Sequence, residues 1–390
     1  MNTSMKILHL FSDWKWTGPA EPALNLCVGL KKRGHDVTIA CGKAMDDYPF
    51  PPDSESVEKS GHERSLIPVT KFYLSKHFRL FKAIYDFRKL KSFMDEERFD
   101  IVHVHRNQDH LVGGAAARRA KRNLPIVRTS HDGVPLKINL RNSICLTGFT
   151  DRLITVSERA RKADIRNFGF SEEKVVKIDA SVDCRRFNPG NVHPGMRDKY
   201  GIKKDEVVAG MIARIQTHRR FDVLLKAIKI ALQEDSRLRL FVISRGTKEK
   251  QLLLEPAKQM GLEDVVIHIG YRTKDYVEAV SCMDFDIFLV PGTDGSCRAV
   301  REVMAMGKPV IAANRGILPE IVDDKVTGLV IDDTPEILAA AIVKLVKDES
   351  LRSKMSEASL KKAQDKFSLD AMVGEVESVY EELLKRIERH

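Results

Sequence analysis

Residues 286–312 read DIFLVPGTDGSCRAVREVMAMGKPVIA. The run Asp286-Ile-Phe-Leu-Val290 is short, apolar and closed by Pro291-Gly292, the pattern of a buried strand ending in a turn. Val300, Val303, Met304 and Met306 follow on an amphipathic helical run, and Pro309-Val310-Ile-Ala312 opens a second apolar strand. Asp294 therefore falls on a loop and Glu302, eight positions on, in the first turns of a helix. Such a loop aims backbone N–H groups outward, and the helix start adds partial positive charge. A diphosphate fits there, with Glu302 free to accept hydrogen bonds from a ribose or sugar hydroxyl.

Working outward, the same alternation fills the chain. Strand-like runs lie at 6–11, 37–41, 101–104, 125–129, 152–156 and 174–178, then at 207–213, 238–243, 265–269 and 309–313. Helical patterns separate them, among them 23–32, 109–122, 221–234, 248–260, 274–282 and 370–388. Alternating β and α elements predict parallel sheets covered on both faces. The turn-rich stretch 184–194 is the expected boundary, which gives an N-terminal domain over 1–187, a second over 188–368 and a terminal helix over 369–390. The fold class is α/β, with two doubly wound Rossmann-like domains facing a cleft and ligands outside the strand carboxyl ends.

A length of 390 residues with 43% hydrophobic and 31% charged residues suits two soluble globular domains. No apolar run approaches the roughly 20 residues that span a bilayer. Lys6–Phe11 is too short for a signal-peptide core and reads as the first strand. The six cysteines form no C-x-x-C pair and no metal spacing with histidine, as expected of reduced thiols in the cytoplasm. A net charge of +10 calls for an anionic partner. Zinc-finger spacing, an RNA-recognition aromatic motif and any sign of a helix-turn-helix are missing, which turns the reading away from nucleic acid.

The 286–312 segment closely resembles the E-x7-E signature of retaining, family 4 glycosyltransferases of GT-B fold. Asp294 stands for the first Glu, Ser296 and Cys297 for Phe-Gly, and Arg298 and Arg301 bring charge to positions that are usually apolar. Gly295, Glu302, Met304-Ala305, Gly307 and Pro309-Val310 keep their places. The stretch Ala213-Arg214-Ile-Gln-Thr-His-Arg219-Arg220 is similar to the family's GR-x4-KG segment, with Arg214 and Arg219 at the Arg and Lys positions and Arg220 at the final Gly. In that family the two cations grip the donor diphosphate; Arg220 is an alternative second cation. Ser244 and Arg272 lie on turns that the resemblance places near a nucleobase, and Gly316–Val322 and Thr327–Val330 match stretches that shape the fold.

In the first half, Thr17-Gly18-Pro19-Ala20-Glu21 stands where the family carries a GGAE-like loop, and it has no G-x-G-x-x-G for a dinucleotide. Trp14 and Trp16 flank it, as a stacking platform for a sugar or as packing. His131 falls where the family commonly places a histidine against the transferred sugar; His105 is a second acceptor-side candidate, and His103 shares its strand face. Residues 71–91 hold seven Lys/Arg, one acid and six aromatics, with Leu80, Ala83, Ile84, Phe87, Leu90 and Met94 on one helical stripe. That segment is either a packed helix with a solvated basic face or a surface drawn to anionic lipid.

The resemblance implies a cytoplasmic enzyme, peripheral to the inner face of the membrane, that moves a sugar with retention from a nucleotide-diphosphate sugar to a hydroxyl acceptor. The acceptor expected is a lipid-linked or cell-envelope glycan, in polysaccharide biosynthesis. The expected reaction centre is Asp294, Glu302, Arg214, Arg219 and His131. Gly295, Ser296, Cys297, Arg298, Ala299, Gly18, Ser244, Arg272 and Arg220 complete the donor site, with no metal and no cofactor. A GT-B nucleotide-sugar epimerase and a non-catalytic nucleotide-sugar-binding protein are the alternatives.

Overall fold

The computed structural model describes residues 4–12, 20–42, 67–74, 78–192, 195–290 and 297–388. Asp294, Gly295, Ser296, Gly18 and Trp16 lie outside the described residues. Two compact units are formed: unit 1 is Met1–Ala180 with Leu369–His390, and unit 2 is Ser181–Ser368. The division falls ahead of the turn-rich 184–194 stretch. Val182 donates its N–H to the Phe367 carbonyl at 2.7 Å and bridges Ser368, which ties the residues after Ala180 to unit 2.

Unit 1 is built on β1 (Lys6–Phe11), β2 (Asp36–Gly42), β3 (Val69–Phe72), β4 (Ile101–Val104), β5 (Ile126–Ser130), β6 (Arg152–Thr155) and β7 (Val175–Lys177). Their order is β3-β2-β1-β4-β5-β6-β7, and every pairing is parallel. Unit 2 carries β8 (Val207–Arg214), β9 (Leu238–Arg245), β10 (Val266–His268), β11 (Phe285–Phe288), β12 (Val310–Ala313) and β13 (Gly328–Ile331), in the order β10-β9-β8-β11-β12-β13. Its pairings are parallel as well. Each sheet reverses direction once, between β1 and β4 and between β8 and β11. Such a reversal opens a crevice at the strand carboxyl ends, where doubly wound folds hold their ligands.

The two sheets are the predicted alternation, with two short strands added. β3 and β13 are four residues each and escape a reading by apolar runs. β3 ends on a carboxylate: Asp86, buried in the helix Leu80–Glu97, accepts the N–H groups of Tyr73 and Leu74 at 2.9 and 2.8 Å. The stripe read on that helix is only half used. Leu90 and Met94 are buried, whereas Leu80 is 57% and Ile84 43% exposed, with Phe81 at 86% beside them.

Caps hold the covering helices. Thr334, Asp348, Ser157 and Asn139 each accept a backbone N–H at a helix start. In unit 2 the helices Phe221–Glu234 and Pro335–Lys347 bury Leu224, Ile228, Leu338 and Ile342 against the sheet. In unit 1 the last helix, Leu369–Glu388, buries Val373, Val376, Tyr380 and Leu383 with the helix Ala20–Lys32. There Gly29 is required, because a Cβ at that position would sit 2.4 Å from Val373 Cγ2. Arg33 and His35 add bonds to Glu377 at 2.8 Å each.

Candidate functional site

Unit 2 gathers cations where its sheet reverses. Arg214 ends β8 and is exposed, in register with Arg245 on β9. Both line a cavity of about 560 Å³ with Gln216, His218 and Lys248, and none of the described residues that line it is acidic. Arg219 behaves differently. It is buried in the turn Thr217–Arg219 and donates to the Val290 carbonyl at 3.2 Å, which brings its guanidinium to the end of β11. Arg220 is held by Asp333, with Nε 2.8 Å from a carboxylate oxygen and Nη2 on the backbone carbonyl at 3.0 Å. Arg315 binds the same carboxylate at 2.8 and 3.0 Å.

Arg220 and Cys297 both adopt left-handed backbone, with φ of 61° and 49°. At both of these positions the resembling motifs carry glycine. At both, a side chain stands where glycine would make the left-handed backbone free of strain. Cys297 is buried immediately before the helix Arg298–Ala305. Arg298 lies exposed on the first turn, Ala299 is half-buried, and Glu302 faces inward at 8% exposure.

Glu302 is positioned by a residue the sequence reading missed. The Tyr276 phenol donates to its Oε2 at 2.9 Å, and Arg298 Nε stands 3.4 Å from Oε1. Burial, then the charge of Glu302, pushes the Tyr276 phenol well above its ordinary range, so it stays a donor. Its signal in the sequence was weak: one aromatic residue just past the Gly270-Tyr271-Arg272 turn. Asp286 on β11 is wholly buried, its carboxylate without a hydrogen-bond partner among the described residues, and burial raises it well above the usual range. Gly210 on the neighbouring strand makes room for it, since a Cβ there would meet Asp286 Oδ1 at 2.4 Å.

The two turn residues assigned to a nucleobase are both engaged within unit 2. Ser244 is buried, with Oγ 2.7 Å from His268 Nε2. Arg272 makes two bonds to Asp275, one at 2.8 Å, and Lys199 reaches the same carboxylate at 3.5 Å.

In unit 1 the histidines converge. His131 follows β5 and His105 follows β4, at the carboxyl ends of adjacent strands. His131 Nε2 is 3.1 Å from His105 Nδ1, and His105 Nε2 is 3.0 Å from Nδ1 of His9 on β1. His103 is bonded to Thr129 and to the Tyr380 phenol of the last helix, and stacks on His105 with ring centroids 4.4 Å apart. His9, His103 and His105 bring ring nitrogens within 4.8 Å of one another, as a metal site would. Their ring planes lie 14–31° from parallel. Both nitrogens of His103 and of His105 are already hydrogen-bonded. The four imidazoles are linked by hydrogen bonds and ring contacts. Burial lowers all four imidazoles, and the nearby Arg128 adds to this for His103, His105 and His131.

Two switch-point sheets with an acidic helix residue and a cationic turn define the class as GT-B glycosyltransferases. A "Glycosyltransferase Family 4" model matches residues 17–186, and a "Glycosyl transferases group 1" model matches residues 193–362. The chain belongs to the family 4 glycosyltransferases of GT-B fold. It is 27% identical over 325 residues to the D-inositol 3-phosphate glycosyltransferase of Saccharomonospora viridis, covering 76% of this chain and 73% of that one. A glycosyltransferase from Rickettsia africae has the same fold, with a TM-score of 0.79 at 20% identity over 98% of this chain and 99% of the other. Anabaena Alr3699/HepE, crystallised with UDP, gives 0.75 at 19% identity over 97% and 100%. Among the described residues no helix is long and apolar enough to cross a membrane.

Proposed function

We propose that this glycosyltransferase takes its sugar from a nucleoside diphosphate and transfers it with retention of configuration to a hydroxyl acceptor. The observation that carries the reading is Glu302: a nearly buried carboxylate held by Tyr276, one helical turn past the helix start that follows β11. A fixed carboxylate there accepts the hydroxyls of a ribose, and the helix start takes a diphosphate. Arg214 and Arg219 offset the charge that grows on the leaving diphosphate as the C1–O bond breaks. The acceptor oxygen bonds C1 on the same face, and its proton passes to the departing phosphate oxygen. Asp294 is assigned to the transferred sugar, the backbone of 295–299 to the diphosphate, and His131 to the sugar or the acceptor.

The Anabaena neighbour bound to UDP makes uridine the first base to test. The acceptor we favour is lipid-linked or part of a cell-envelope glycan, reached from the cytoplasm at an anionic membrane. Phe78, Leu80, Phe81, Ile84 and Tyr85 are exposed beside Arg79 and Lys82, which supports a surface that meets lipid.

Thermal unfolding with UDP, GDP and ADP and their sugars tests the donor, since bound ligand stabilises by RT ln(1 + [L]/Kd). The expected result is a rise in Tm with one nucleotide family. Incubation of that sugar with acceptor extracts, followed by NMR of the anomeric proton, decides the rest. Inversion of the anomer, epimerised donor without transfer, or binding without turnover would each overturn the proposal.

A further inference from the structure

We infer that His9 and His105 place the proton of His131 on Nδ1, which makes His131 a fixed hydrogen-bond donor to its ligand and not a base. This rests on the assignment of His131 to the sugar or the acceptor made above.

Three imidazoles stand in series. His105 uses both ring nitrogens on other histidines, Nδ1 toward His131 and Nε2 toward His9, at 3.1 and 3.0 Å. A neutral imidazole has one N–H and one lone pair, so both bonds must run in the same direction. If they run inward, from His131 to His105 to His9, the last proton sits on His9 Nε2. That atom is buried and has no hydrogen-bond partner among the described residues. A stranded buried N–H is among the rarest features of folded proteins. If they run outward, His9 donates to His105, His105 donates to His131, and only a lone pair is stranded. The outward direction is the cheaper one. His131 then accepts at Nε2 and carries its proton on Nδ1, and Nδ1 makes no hydrogen bond to a described residue.

The surroundings hold this state. No carboxylate bonds any of the three rings among the described residues. The charged neighbours, Arg128 buried beside them and Arg106, are cations that oppose protonation. Arg128 is itself occupied by Asn107 at 3.2 Å and stands 4.0 Å from Asp109. His103, pinned by Thr129 and Tyr380, stacks on His105 and sets its plane. Proton placement of this kind decides what a histidine can do. A donor at Nδ1 can bind a hydroxyl oxygen of the sugar or acceptor and cannot remove a proton from it.

Long-range ¹⁵N–¹H spectra of the whole, ligand-free protein test the inference. His131 is expected as the Nδ1–H tautomer, unchanged between about pH 8 and pH 6. His105→Asn keeps an amide donor in place of Nδ1 and should preserve that signature. His105→Leu removes the donor, and His131 should then shift toward the Nε2–H form and titrate. In the transfer assay His105→Leu should lower kcat/KM about tenfold, the worth of one aligned hydrogen bond, with His105→Asn close to wild type. An Nε2–H tautomer in the wild type, or a His131 that titrates in that range, overturns the proposal. Identical spectra for the two variants overturn it as well. If neither variant folds, the wild-type spectrum alone decides. The spectra need no substrate, so a protein with the stated tautomer that transfers no sugar would refute the proposed function and leave the proton placement standing.

Discussion

The Tyr276 phenol donates a 2.9 Å hydrogen bond to Oε2 of Glu302, so the start of one helix fixes the carboxylate of another. Glu302→Gln keeps the size and loses the charge. Nucleotide-sugar affinity should fall by about 1.5–3 kcal/mol, the range for hydrogen bonds to charged groups, with little change in apo Tm. Tyr276→Phe should cost about 1 kcal/mol of affinity through a less ordered carboxylate. Titration calorimetry with the donor separates the two. Equal affinity in both variants and wild type would remove Glu302 from the donor site.

Arg214 and Arg219 differ in burial, and their variants should differ in stability. Arg219→Ala leaves the Val290 carbonyl without its donor and should lower stability by about 1–2 kcal/mol, whereas exposed Arg214→Ala should not. Both should reduce kcat/KM by roughly 10²–10³ if each stabilises the leaving diphosphate. Binding of the bare nucleoside should survive. Equal loss for nucleoside and nucleotide sugar would show a collapsed loop instead.

Arg220 offers a reversal of the usual Ala–Gly order. At φ 61° an alanine is strained and a glycine is not, while both lose the ion pair with Asp333. Arg220→Gly should therefore be more stable than Arg220→Ala by about 1 kcal/mol. Denaturant unfolding measures it. The ordinary order would mean that the loop relaxes out of the left-handed region when the arginine leaves.

Acid should loosen unit 1. Burial lowers His9 to about 3, below the roughly 6.5 of an unfolded histidine. Its contribution is complete above pH 6.5 and is lost as pH falls toward 3, because the unfolded chain binds the proton first. Between pH 6.5 and 5 that amounts to about 2 kcal/mol. His103 and His105 act in the same direction. Asp109, raised to about 6 by burial, acts oppositely between about pH 6 and 4 and offsets part of the loss. Tm measured from pH 7.5 to 5 should fall, and His9→Phe should flatten the slope. Parallel curves for the two proteins would show that His9 titrates in the folded state.

Vesicle co-sedimentation tests the exposed start of the helix Leu80–Glu97. Arg79→Glu with Lys82→Glu removes two attractions of about 1 kcal/mol each and adds repulsion. Binding to anionic vesicles should drop by more than tenfold, added salt should imitate the change, and neutral vesicles should bind little in either case. If both proteins sediment alike at low salt, that surface does not meet lipid.

The sheets were legible because parallel strands buried on both faces are written as apolar runs, and 286–290 or 207–213 can be read no other way. β3 was not legible, since four residues with a lysine at the third position carry no such run. The reading of residues 80–94 as one stripe failed at its start, where no described residue of unit 1 covers Leu80 or Ile84. At the site, Glu302 and Arg219 were marked by the motifs that resemble the family's. Tyr276 and His9 were not, because each acts through a partner more than twenty residues away that only the fold brings near. Arg220 was read as a spare cation; its charge is spent on Asp333, a residue with no motif to flag it.

The last helix, Leu369–Glu388, completes the core of unit 1 with residues made after all of unit 2. Ribosomes work at roughly 5–20 residues per second, and about 190 residues separate Ala180 from that helix. For some 10–40 s of synthesis the first sheet therefore waits with the apolar face around Gly29 uncovered and His103 without Tyr380. A chain cut short anywhere in unit 2 would leave that face open, so the burial of unit 1's apolar face depends on residues synthesised after all of unit 2.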